Sequence, residues 1–250
     1  MKNNTEMKQN KLQEGLFDNV WTIPNLLSFL RILMIPVFAV LFYKGQHESK
    51  GIYLLWAVVV LALSGLSDFF DGKIARRFNQ ISALGKLLDP IADKLTQATI
   101  AVMMFLSFFQ AEENKTLHLF AWVFLLFIVK ELVMLIGGLL MLMFGIRPGA
   151  AEIFGKAATM IFYLVMVAVM AFGPEVGAFS VREGSIVQLF TLPDAVMIVM
   201  VVIALIMTFV AFFSYMPETH RQVQERFSPE GKARAKAEKE KKAAEKKAAE

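Results

Sequence analysis

Asp68, Asp71, Asp89 and Asp93 are the residues of this sequence whose type and spacing could do chemistry. Carboxylates three or four residues apart share one face of a helix, so Asp68 pairs with Asp71 and Asp89 with Asp93. Gly72, Ala75 and Arg76 continue the first stripe, and its small residues leave room for a ligand or another backbone to come close. Four ionised carboxylates at close range repel strongly in a low-dielectric setting, so either some are protonated or cations sit between them. Hard divalent cations are the natural solution: all-oxygen ligation suits Mg²⁺ or Mn²⁺ with water and phosphate completing the shell, and four carboxylates suit a two-metal site. Zn²⁺ is less favoured, because none of the three histidines, His47, His118 and His220, lies nearby. Ion pairing of Asp68 and Asp71 with Lys73, Arg76 or Lys94 is the purely structural alternative. It accounts for one pair better than for two pairs at the ends of adjacent apolar spans.

The elements that must position these carboxylates are membrane spans. The chain has 250 residues, is 56% hydrophobic and 12% aromatic, and contains six apolar runs near the ~20 residues needed to cross a bilayer. They fall at about 22–43, 51–73, 90–110, 117–145, 151–173 and 189–215, which predicts an all-α integral membrane protein of six transmembrane helices. Upstream, Leu12, Leu16, Phe17, Val20 and Trp21 gather on one side of a helix, so an amphipathic helix is expected to lie in the interface before the first span. Pro24 then starts the first span, where its missing N–H costs least, and Asp89 before Pro90 reads as a helix start. The second and third spans are expected to pack side by side and bring the two carboxylate pairs together.

Three regions follow: a cytoplasmic N-terminus with the interfacial helix over 1–21, the six-span domain over 22–216, and a charged tail over 217–250. The connection at 74–88 and the lysine-rich tail carry more positive charge than 111–114 and 173–185, which places both termini and the carboxylates on the cytoplasmic side of a cell membrane. The polar first residues show no cleaved signal peptide. With no cysteine, disulfides and thiolate chemistry are excluded, and the net charge of +4 rests mostly in the tail, so it is no argument for nucleic acid. The Ala-Lys-Glu tail reads as a solvated helix or disordered segment, and the fifteen methionines as packing or lipid-facing residues.

Asp68-x-x-Asp71-Gly72-x-x-Ala75-Arg76, followed after eight residues by Gly85-x-x-x-Asp89-x-x-x-Asp93, resembles without departure the signature of the CDP-alcohol phosphotransferases. The resemblance extends to the six spans and the preceding interfacial helix. It implies transfer of a substituted phosphate from a CDP-linked lipid to an alcohol with release of CMP. It also implies that Asp68, Asp71 and Asp89 are metal ligands, Asp93 a ligand and the general base, and Gly72, Ala75, Arg76 and Gly85, with Asp68, the CDP cradle. A homodimer is implied by the family alone. The chemistry is consistent with the residues, since attack at phosphorus needs neutralised oxygens, an in-line hydroxyl and a stabilised leaving group.

The start of the first span, "WTIPNLLSFLRILMIPVF", is similar to that of bacterial phosphatidylglycerophosphate synthases, which makes Asn25 a nucleotide or phosphate contact. Arg31 is either a phosphate anchor or a partner of an aspartate or Glu131. Lys130, Arg147 and Lys156 border the same mouth, as acceptor-phosphate contacts or, for the last two, as headgroup contacts. The favoured reaction is therefore CDP-diacylglycerol with sn-glycerol 3-phosphate. A cardiolipin synthase using phosphatidylglycerol, or an enzyme using inositol phosphate or serine, is the alternative. Two rivals from other classes are weaker. A membrane prenyltransferase would separate its aspartate motifs, and a divalent-cation transporter would need polar residues through the full depth of the membrane, which "IAVMMFLSFF" does not offer.

Overall fold

The computed structural model describes residues 22–48, 50–77, 85–143, 153–181 and 188–228, with the side chains of 23–24, 68–77, 86–87, 142–143, 153 and 225–226 excepted. The expected interfacial helix, Arg147 and the tail from 229 onward lie outside the described residues. Six helices follow one another: α1 Ile23–His47, α2 Gly51–Arg77, α3 Gly85–Phe109, α4 Lys115–Met143, α5 Ile153–Phe172 and α6 Asp194–Phe227. There is no strand among the described residues. Five of the helices are long and apolar enough to cross a membrane. α2 is apolar over Gly51–Ser67, and its 27 residues reach about 40 Å at 1.5 Å per residue. The chain is a multi-pass membrane protein.

Local sequence sets the ends. Thr22 caps α1 by accepting the Asn25 amide at 3.3 Å, with Pro24 in the first turn as expected. α3 begins at Gly85 rather than at Pro90, so Asp89 lies inside the helix and not at its start. Pro90 is tolerated there because only the amide bond back to Lys86 is given up. At the other end of the chain α6 starts at Asp194 and runs through Pro217 to Phe227, well past the predicted 215. Its last turns are polar and self-paired, with Glu218 accepting from Arg221 at 2.9 Å and from Gln222 at 2.8 Å. The tail set off at 217 thus begins within a helix.

The packing order differs from the simplest expectation. Among the described residues α1 packs against both α2 and α3, so the first span is their common neighbour, while α3 pairs with α4, and α5 with α6 and α2. One face of α3 shows how the bundle is built. Asp89, Asp93, Gln97, Ile100, Met104 and Phe108 recur every three or four residues, forming a single stripe that faces the other helices. The half toward Phe108 borders a dry core, where Phe108 stacks on Phe124 with centroids 5.6 Å apart and Phe127 meets Phe162 at 5.4 Å. The half toward Asp89 is polar. Lipid faces carry Leu26, Phe29, Leu33, Trp122 and Val129 outward, as an apolar solvent requires.

Candidate functional site

Three helices meet at the polar end of this stripe. On α1, Asn25, Ser28 and Arg31 follow steps of three and are buried, while the apolar residues between them face outward. A buried polar face on an otherwise apolar span is expensive unless it meets polar partners. It does: the Ser28 hydroxyl donates to Asp89 Oδ1, and the Arg31 guanidinium acts electrostatically on the same carboxylate. The tight α1–α3 contact is therefore polar at this end.

Asp93, one turn further along α3, is held twice. Its Oδ1 accepts from Gln97 Nε2 at 2.8 Å and its Oδ2 lies 3.4 Å from the Lys94 ammonium. Lys94 also lies 3.3 Å from Glu131 Oε2 on α4, and Glu131 in turn pairs with its neighbour Lys130. The Glu131 and Lys130 side chains are 1% and 4% exposed, whereas Asp93 keeps 16%, so the chain of ion pairs runs from the interior outward to a carboxylate that retains access. Two cations and two anions sum to zero. Such matching offsets much of the several kcal/mol that burying each ion costs, and removing one member would leave a charge uncompensated.

Some of the sequence-predicted residues come together. Arg31 and Ser28 of α1 act on Asp89 of α3, Asn25 is buried on the same face of α1, and Lys130 is linked to Asp93, one turn further along α3, through Glu131 and Lys94. Gly85 is buried at the first residue of α3. Asp68, Asp71, Gly72, Ala75 and Arg76 occupy the last turns of α2, the helix that leads into α3 and packs on α1. Lys156, on the first turn of α5, is exposed and among the described residues makes no hydrogen bond or ion pair. Sequence reasoning did not single out Ser28 or Gln97 as partners of the aspartates, and it offered Lys94 as a partner of Asp68 and Asp71, whereas the structure sets it between Asp93 and Glu131. Ser28 lies midway between Asn25 and Arg31 at helical spacing, and Gln97 four residues beyond Asp93, which are the signals that point to them.

The donor set tests the metal expectation. No group of three or more His, Asp or Glu side chains gathers among the described residues, since two of the four aspartates belong to the α2 turns. The two that are described supply hard carboxylate oxygens from one helical face, each oriented by a neighbouring side chain, and that is the ligand type Mg²⁺ and Mn²⁺ take.

A helical membrane protein with an oriented carboxylate pair at one end of its bundle is the class that this geometry defines. Residues 21–210 match the sequence model of the CDP-alcohol phosphatidyltransferases, and the chain belongs to that family. A cardiolipin synthase (CMP-forming) of Streptomyces coelicolor is 38% identical over 157 residues, covering 62% of this chain and 66% of that protein. A CDP-diacylglycerol–glycerol-3-phosphate 3-phosphatidyltransferase of Rickettsia typhi is 38% identical over 82 residues, covering 33% and 44%. The chain therefore spans less than two thirds of the length of these relatives. Enzymes of the family generally use divalent metal ions.

Proposed function

We propose that the chain transfers the phosphatidyl group of CDP-diacylglycerol to an alcohol and releases CMP, as an enzyme of phospholipid synthesis. The observation that carries this reading is the Asp89–Asp93 face of α3, oriented by Ser28, Gln97 and Lys94 at the end where the aspartate-bearing turns of α2 lead into it. Asp68, Asp71, Asp89 and Asp93 would hold Mg²⁺ or Mn²⁺, which neutralises the diphosphate oxygens when bound. Asp68, Gly72, Ala75, Arg76 and Gly85, with Asn25, cradle the CDP moiety. The Asp93 carboxylate accepts the proton of the alcohol as its oxygen attacks phosphorus, and the bond from phosphorus to the CMP oxygen breaks. Residues 22–216 form the catalytic unit, its mouth facing the cytoplasm, and two copies of the chain associate.

Phosphatidylglycerol is the leading acceptor, because the match to the Streptomyces cardiolipin synthase extends over 157 residues against 82 for the Rickettsia enzyme. Glycerol 3-phosphate is the second reading, supported by that shorter match and by the start of α1. Both present a glycerol hydroxyl beside a phosphate, for which Arg31, Arg147 and Lys156 are the candidate contacts. Lys130 is a weaker candidate, since Glu131 already matches its charge. Purified protein given CDP-diacylglycerol, Mg²⁺ and each of phosphatidylglycerol, glycerol 3-phosphate, inositol phosphate and serine should release CMP with the first. Release with glycerol 3-phosphate alone would reassign the acceptor, and no release with any of them would overturn the transferase reading.

A further inference from the structure

The Lys94–Glu131–Lys130 group sits beside the carboxylate pair, yet no step of the reaction above uses it. Glu131 is a charged side chain with 1% exposure in the interior of a membrane span, bound to one lysine on its own helix and one on α3. A lone counter-ion for Lys130 would need no third member. Lys94 is what changes the arrangement: its ammonium bridges Glu131 Oε2 at 3.3 Å and Asp93 Oδ2 at 3.4 Å, while Gln97 holds the other Asp93 oxygen. Lys94 follows Asp93 directly in the chain, and adjacent residues on a helix point about 100° apart. Its flexible stem must bend back to reach that carboxylate, and the anchor on α4 holds it there.

We propose that Glu131 is a positioning residue for Asp93, acting through Lys94. α4 thereby fixes the rotamer of an α3 carboxylate by way of an α3 lysine. This rests on the reading of Asp93 as metal ligand and proton acceptor. Residues that orient a ligating carboxylate typically change metal affinity by about 10- to 100-fold when removed.

The obvious variant, Glu131→Gln, leaves Lys130 as an unmatched buried cation and loses stability for that reason alone. The double variant Lys130→Met/Glu131→Gln removes both charges together and leaves the Asp93–Lys94 pair balanced, so it separates the two roles. The test measures Mn²⁺ affinity by electron paramagnetic resonance on detergent-purified protein without substrates, beside thermal unfolding without metal. The double variant should unfold near the wild-type temperature yet bind Mn²⁺ about tenfold more weakly or worse. Lys130→Met, which keeps the Glu131–Lys94–Asp93 chain, should bind Mn²⁺ as wild type does. Turnover with CDP-diacylglycerol should fall in the double variant with little change in the KM for that lipid. A double variant with wild-type Mn²⁺ affinity and turnover overturns the positioning role while leaving the transferase reading intact. A wild-type protein that binds no Mn²⁺ and releases no CMP overturns both.

Discussion

Single side chains decide how the carboxylates of α3 are aimed. Ser28 is fully buried and its hydroxyl is spent on Asp89, so Ser28→Ala leaves that oxygen without its donor. A hydrogen bond to a charged group is worth about 1.5–3 kcal/mol, and we expect the Mg²⁺ concentration for half-maximal CMP release to rise roughly tenfold. An unchanged midpoint would show that Ser28 only fills space. Asp93→Asn keeps the shape and the Gln97 neighbour but loses the proton acceptor, and CMP release should fall by at least about 100-fold. The four aspartates were legible in the sequence because carboxylates are rare in apolar runs and their spacing is periodic. Their partners were not. Ser28 is an ordinary residue within a span, and only the docking of α1 on α3, a contact distant in sequence, gives it meaning, whereas Gln97 reaches Asp93 from one turn along the same helix and was overlooked because an amide within a span carries no charge to mark it. Arg31 could be read from sequence alone as a partner of an aspartate or of Glu131. In the structure it acts on Asp89, and Glu131 is taken by two lysines.

The spans themselves were readable because each buries or exposes apolar side chains continuously over about 20 residues. Their ends were less so. Hydropathy stops where charges begin, whereas the backbone ladder continues as long as its amides are paired, so α3 begins before its apolar part and α6 outruns its own. Which helices touch depends on small residues that hydropathy ignores. Gly155 on α5 lets the Tyr215 hydroxyl of α6 come against its backbone, where a Cβ would collide with it. Gly155→Ala should therefore cost less than about 1 kcal/mol, because the end of the Tyr215 side chain can swing aside and α5 gains from alanine, seen as a slightly lower unfolding temperature in detergent, and adding Tyr215→Phe should recover the loss. Failure of the second change to restore stability would place the strain elsewhere than the α5–α6 contact.

Taken as a whole, the bundle is polar at one end and dry at the other. From Asp89 to Phe108 the α3 stripe covers about 28 Å, close to the thickness of a bilayer core, and the stacked phenylalanines close the half toward Phe108. That division favours chemistry at one face over passage through the membrane, and liposomes bearing the protein should show no Mg²⁺ flux above protein-free liposomes. Because the chain has no cysteine, its orientation can be read directly. A membrane-impermeant maleimide should label Glu113→Cys in intact cells and Gln224→Cys only after permeabilisation, both being exposed positions at opposite ends of the bundle. Labelling in the reverse order would turn the catalytic mouth outward. The pairing of Lys130 with the residue next to it has a further consequence, for how the protein is made. A lysine near the middle of a span adds about 2.5–3.5 kcal/mol to its insertion from the translocon. α4 carries its own counter-ion, so its mid-span charges enter the bilayer already paired, whether or not α3, made just before it, has docked to share them. In an insertion assay on the isolated α4 segment, replacing Lys130 or Glu131 singly by alanine should help far less than half as much as replacing both.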